Sequence, residues 1–156
     1  MKRTPDEERV LERMAPGVLS RDGFLGADPR PLNEILATDQ AEVDGLGVTH
    51  AAIAARLRAV LLAARDAFGR SVPVGEGLSA VYHEAMGRIP SPWPGEGVFP
   101  KGEIELADQR SGHTICYTPL SVHLIEAHGF YEGRGSRYRL EPSEICRMLG
   151  LGEASA

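Results

Sequence analysis

The sequence predicts an α+β domain, a small and mainly antiparallel sheet packed on one long central helix with shorter helices flanking it. Three observations carry that expectation. Ile53, Leu57, Val60, Leu61, Ala64 and Phe68 recur at three- and four-residue steps, the period of one helix face. Glu103 to Leu106 and His113 to Thr118 alternate polar and apolar residues, the period of a half-buried strand. The turn chemistry between them, Asp108-Gln109-Arg110-Ser111-Gly112, makes the two runs a hairpin. At 156 residues, with no internal repeat and no linker long enough to divide it, the chain reads as a single domain spanning 1–156.

The elements follow in order. Thr4-Pro5-Asp6-Glu7 starts a helix: Thr4 caps, Pro5 suits the first helical position and Glu7 completes a capping box. That helix is polar and short, stops before Pro16-Gly17, and is expected to pack loosely. Residues 18–27 form a loop broken by Gly23 and Gly26. Asp28-Pro29 opens a second helical segment with Leu32, Ile35 and Leu36 inward; it restarts at Asp39 and ends near Gly45. Thr49 caps the central helix and Gly69 closes it, a length of roughly 30 Å at about 1.5 Å per residue. Ser71 to Val74 is an edge strand, since proline is tolerated there. Leu78 to Met86 fits a strand or a helix equally well. Pro90-Ser91-Pro92-Trp93-Pro94-Gly95 is an extended, turn-rich loop, because each proline pushes its predecessor out of the helical region. Pro119 ends the second hairpin strand. Ser121 caps a short helix through His128, with Gly129 at the left-handed position and Phe130 making the contact that follows it. Gly133 to Ser136 is a turn, and Arg137 to Leu140 a strand. Pro142-Ser143 begins the last helix, with Ile145, Met148 and Leu149 inward, and the tail from Gly152 frays.

Composition bounds the function. With 42% hydrophobic and 25% charged residues the chain is an ordinary globular sequence rather than a disordered one. The net charge is −5, and Lys2 and Lys101 are its only lysines, which argues against a non-specific nucleic-acid binder. No apolar run reaches the roughly 18 residues a membrane span needs. The charged N-terminus is not a secretory signal, and two cysteines without framework spacing suit a reducing compartment, so the expected location is cytoplasmic. An exposed sheet edge or apolar helix face could form a homodimer, but nothing in the sequence specifies one.

The densest run of unusual polar residues lies between His113 and Arg139. His123, Glu126 and His128 fall on the short helix, and His113 on the strand before it. Imidazoles and a carboxylate suit zinc or another divalent metal. A zinc-protease helix places two histidines four apart on one face, however, and here they are five apart, about 140° round an ideal helix. On that ground His128 is better read as a charge at a helix C-terminus and His123 as solvated. The second candidate is Gly133, Arg134, Gly135, Ser136, Arg137 and Arg139. Two glycines one residue apart let backbone N–H groups turn toward an anion, and three arginines can clamp a phosphate or carboxylate. A Cys116–His123 nucleophile is a third candidate, outweighed by a small buried strand residue. His50, and His83 beside Glu84, read as structural or exposed. Trp93 among prolines lines a pocket or covers a core edge. A helix-turn-helix at Leu46 to Leu57 is disfavoured, because the central helix is too long and its stripe too regular.

Four stretches together resemble a small bacterial family of uncharacterised proteins: Gly23-Phe24-Leu25-Gly26 with Asp28 and Arg30; Leu46-Gly47-Val48-Thr49-His50; Pro90-Ser91-Pro92-Trp93; and the run from His123 to Tyr131. The resemblance implies a bacterial, compact, single-domain protein and carries no activity, cofactor or substrate. Two functional expectations therefore stand. One is a binding protein for a small anionic ligand, a phosphorylated one included, at Gly133 to Arg139. The other is a metal-dependent or acid–base hydrolase using His113, His123, Glu126 and His128.

Overall fold

A computed structural model of the protein describes residues 3–152. These fold as α1 (Pro5–Met14), α2 (Leu32–Gly45), α3 (His50–Arg65), β1 (Val72–Gly75), β2 (Leu78–His83), β3 (Arg88–Pro90), β4 (Val98–Pro100), β5 (Glu103–Asp108), β6 (Thr114–Tyr117), α4 (Pro119–His128) and α5 (Pro142–Leu149). A four-stranded antiparallel sheet runs in the order β1-β2-β5-β6, and β3 and β4 form a separate hairpin. The fold is α+β, as the periodicities require.

Alternation places Leu78, Ala80 and Tyr82 of β2 on one face with Ile104 and Leu106 of β5 and Ile115 and Tyr117 of β6. The register sets Ala80 opposite Leu106 and Leu106 opposite Ile115, so the apolar residues form rows across the sheet. Helix α3 covers this face with Ile53, Leu57, Val60, Leu61 and Ala64. The Tyr117 hydroxyl donates to the Leu57 carbonyl at 2.7 Å, which satisfies a buried polar atom and fixes the helix over the sheet.

Several elements depart from expectation, each for a local reason. Helix α3 ends at Arg65 rather than Gly69, because Phe68 adopts a left-handed conformation (φ 52°) and projects into solvent. Leu78–His83 resolves as a strand because both its neighbours in the sheet pair with it. Helix α4 begins at Pro119, with Thr118 as its cap. Ser121 is the third helical residue, and its Oγ accepts from the Thr118 amide at 3.1 Å. Helix α2 starts at Leu32 and runs unbroken through Asp39; Asp28 instead pairs with Arg30 at 2.7 Å. The Pro-rich stretch is embraced by β3 and β4, which the prolines concealed. Residues 137–140 are not a strand: the Arg139 amide bonds Ser136, and the chain turns. Helix α1 buries Val10 and Met14, and Arg13 donates to the carbonyls of Ser91 and Pro92 at 2.6 and 2.9 Å. The expected frayed tail lies, apart from Gly152, outside the described residues. No single helix is long and apolar enough to cross a membrane.

Two apolar clusters result. The larger joins the sheet, α3 and α5; the smaller gathers Met14, Phe24, Ile35 and Phe130 beneath the β3–β4 hairpin. Helix α4 contributes to both: Val122 and Ile125 enter the first, Leu120 and Leu124 the second. Between α2 and the segment before α5, Arg139 donates to Asp39 at 2.6 and 2.9 Å and to Glu141 at 3.1 Å. The Asp39 and Arg139 side chains are 1% and 6% exposed, so this is a buried pair. Arg139→Met leaves the Asp39 carboxylate buried and unpaired, and urea denaturation should register a loss of about 3–5 kcal/mol. Replacing Asp39 by Leu in the same protein should recover part of that loss; strict additivity of the two substitutions would show that the pair is not coupled.

Candidate functional site

The loop from Ser91 to Gly97 is restrained along its length. Pro92 and Pro94 limit its conformers, Arg13 holds two of its carbonyls, and the Trp93 amide donates to Ser91 Oγ at 3.1 Å. Gly95 and Gly97 take left-handed conformations on either side of Glu96 (φ 83° and 84°), which turns that single carboxylate back toward α4. Ser91 Oγ donates to Glu96 Oε1 at 2.6 Å and so orients it.

Glu96 meets both histidines of α4. His123 Nε2 lies 2.9 Å from Oε1 and His128 Nε2 lies 2.8 Å from Oε2. The three ligand atoms all fall within 4.8 Å of one another. The five-residue spacing leaves the ring centroids 6.3 Å apart, and Glu96 enters from outside the helix and spans that gap with one oxygen to each ring. Aromatic rings fix both imidazoles. Trp93 stacks on His128 at 3.8 Å and 11°, and Phe99 lies 4.7 Å from His123. Burial alone pushes the Glu96 carboxyl up, but the Ser91 hydroxyl and the two imidazoles outweigh it and hold the group below its ordinary value. The side chains of His123, His128 and Glu96 remain 24%, 21% and 23% exposed, enough for a solute to reach them.

The other residues of the expected histidine site go elsewhere. Glu126 forms a two-pronged pair with Arg58 at 3.0 and 3.1 Å, whose hydrogen bonds hold it below its usual range. His113 is exposed and faces Glu144 at 3.6 Å. Cys116 lies beside Glu103; burial, and then that carboxylate, push its thiol up to about 11, which removes it as a thiolate nucleophile. His50 bonds Gln40 at 2.8 Å and Tyr131 at 2.9 Å, and burial pushes it down toward the neutral form.

The glycine–arginine turn is a packing device at its centre. A Cβ on Gly133 would collide with the Leu25 carbonyl, so the two chain segments pass at backbone distance. The Gly133 amide bonds Phe24, the Arg134 amide bonds Asp28 and the Ser136 amide bonds Gly133. Arg134 is exposed, Arg137 donates to Glu103 at 3.1 Å, and Arg139 is the buried partner of Asp39. The three guanidiniums are thus drawn to different places.

Two residues outside the expected sites matter. Glu96 is one; its only sequence signal was a lone carboxylate between two glycines in a proline-restrained loop. Glu132 is the other. It is 5% exposed and holds φ 69°, a left-handed conformation that costs a non-glycine residue about 1–3 kcal/mol. Burial pushes its carboxyl up to about 7, against the Ser136 hydroxyl, which donates at 2.6 Å, and the charge of Arg139.

Comparison of the chain with protein-family models, curated proteins and solved structures found no match.

The raised Glu132 has a linkage consequence. Between the ordinary carboxyl value and about 7, the folded protein holds a proton that the unfolded chain has released. Stability contributed there is present at low pH and lost as pH rises through 7. Glu132→Gln removes that dependence. Its stability relative to wild type should rise by roughly 3 kcal/mol between pH 4 and 8, read from urea midpoints at each pH.

Proposed function

We propose that this protein binds a divalent transition metal, zinc by donor preference, through one Glu96 oxygen, His123 Nε2 and His128 Nε2, and acts as a metal-dependent hydrolase. The observation that carries this reading is the convergence of three ligand atoms of the right chemistry from two separate elements. Two imidazoles and one carboxylate are the donor set of catalytic zinc sites, which leave a fourth position for water or substrate. A tetrahedral ion at about 2.0–2.1 Å sets its donors roughly 3.3 Å apart. The two short N···O spacings, 2.9 and 2.8 Å, go to different oxygens of Glu96, and the three ligand atoms lie within 4.8 Å of one another, so small side-chain rotations bring one oxygen and both nitrogens to that separation.

A metal held this way lowers the pKa of bound water toward neutrality and polarises an ester or amide carbonyl. The chain's own residues supply the rest. Ser91 orients the carboxylate, Trp93 and Phe99 hold the rings, and the partial exposure of all three ligands admits substrate. We also infer a cytoplasmic location, supported by the two free thiols at Cys116 and Cys146.

The sole tryptophan reports the site directly, because its ring lies on His128. Titrating chelator-treated protein with Co²⁺ or Ni²⁺ should quench Trp93 emission and saturate at one equivalent, and Zn²⁺ should compete. Glu96→Gln, His123→Asn and His128→Asn should each abolish saturable quenching. Ser91→Ala should weaken it roughly 10- to 100-fold, the usual range for a group that orients a ligand. His113→Asn should leave it unchanged. Absence of saturable quenching in the wild type would contradict the proposal.

A further inference from the structure

A cavity of about 270 Å³ opens between residues 20–24 and the segment that follows α4. Phe24, Ile89 and Leu120 give it an apolar lining, and Arg21, Asp22, Lys101 and Arg137 a charged one. Glu132 lines it too. Ser136 holds one oxygen of that carboxyl group; among the described residues the other, Oε2, has no hydrogen-bond partner. A side chain 5% exposed, on a strained backbone, therefore offers one unpartnered oxygen to a cavity. That combination of burial, strain and a concave apolar wall is what binding sites are built from.

We propose that this cavity binds a small carboxylic acid with an apolar body, its carboxylate held between the Glu132 carboxyl group and the Lys101 ammonium and its body laid against Phe24, Ile89 and Leu120.

The charges around the cavity favour an anion. Lys101 and Arg21 line it, and among the described residues neither pairs with a carboxylate. Arg137 is matched by Glu103 at 3.1 Å and also faces Asp22, which offsets the one exposed acid at the rim. Arg139, from the other side, donates to the Glu132 carbonyl at 2.9 Å and adds positive charge beneath it. Ser20, Thr118 and Tyr138 complete the polar lining, with the Tyr138 hydroxyl turned to Glu103. Glu132 supplies what a fixed cation cannot. Held neutral by burial, it donates its O–H to the ligand carboxylate, and a hydrogen bond to an ionised acceptor is among the strong ones. A cationic ligand would need the same group ionised beside Arg139 and would meet Lys101 and Arg21 unpaired. The cavity's modest volume and its apolar wall select a single short-chain or one-ring acid rather than a nucleotide. This places an anion site beside Arg137 but outside the glycine turn, whose Gly133, Arg134 and Ser136 amides are already bonded.

The test uses benzoate and hexanoate as probes, with benzylamine as the cationic control, and calorimetry on chelator-treated protein so that the histidine site plays no part. Both acids should bind at one equivalent and benzylamine should not. Affinity should fall roughly tenfold between pH 6.5 and 8, as Glu132 loses its proton and the two carboxylates repel. Glu132→Gln keeps a donor but cannot ionise, so its affinity should be flat over that range. Lys101→Ala changes an exposed side chain that leaves the fold intact, and it should weaken both acids roughly tenfold. The proposal is overturned if neither acid binds, if benzylamine binds instead, if affinity rises with pH, or if Lys101→Ala and Glu132→Gln both behave as wild type.

Discussion

Helix α4 has to satisfy two hydrophobic cores at once, and the rest of the molecule is arranged around that demand. Val122 and Ile125 belong to the sheet core, Leu120 and Leu124 to the cluster under the β3–β4 hairpin. Each such side chain gains about 1.5–3 kcal/mol on burial, so the orientation of α4 is firmly determined. Little of its circumference is then left for polar residues. His123, Glu126 and His128 occupy what remains, and the loop between β3 and β4 closes over the two histidines. The candidate metal ligands are thus placed by packing on one side and by a tethered loop on the other, and none hangs on a free terminus.

Electrostatics does comparable work in the return from α4 to α5. That segment has no regular structure, and a buried ion pair stands in for it. Arg139 reaches Asp39, Glu141 and the carbonyl of Glu132, which pins a backbone that hydrogen bonds between strands would otherwise have to hold. The left-handed conformation of Glu132 persists under that constraint, and its buried carboxyl group has a raised proton affinity. One arginine therefore has a structural role that its neighbours lack. Arg137 and Arg134 stay at the surface, where they remain open to solutes.

Much of the fold was legible in residue order. The α3 stripe, the β5–β6 alternation, the caps at Thr4 and Thr49 and the left-handed Gly129 depend on neighbours a few residues away, which periodicity and capping chemistry detect. What escaped depends on distant partners. Residues 137–140 alternate like a strand, but a strand needs a neighbour to pair with, and Arg139 is drawn instead to Asp39, a hundred positions earlier. The prolines of the 90–94 stretch hid a hairpin, because three-residue strands tolerate proline at their ends. In the candidate site His123 and His128 were singled out, while Glu126 stood in for the carboxylate that meets them. Ideal helical geometry argued against the pair, since it counts only the helix's own residues and omits the reach of a third residue from outside it. Glu96 could not be assigned from spacing, because it stands 27 positions before His123, with two strands of the main sheet in between.

We propose that a hairpin loop and the end of one helix assemble a three-ligand metal site. Crystals grown with zinc and measured on either side of its absorption edge address it most directly. One strong anomalous peak is expected about 2.0–2.1 Å from His123 Nε2, His128 Nε2 and a Glu96 oxygen, with water at a remaining position. A map with no peak there, while Glu96 still bridges the two imidazoles by hydrogen bonds alone, would contradict it.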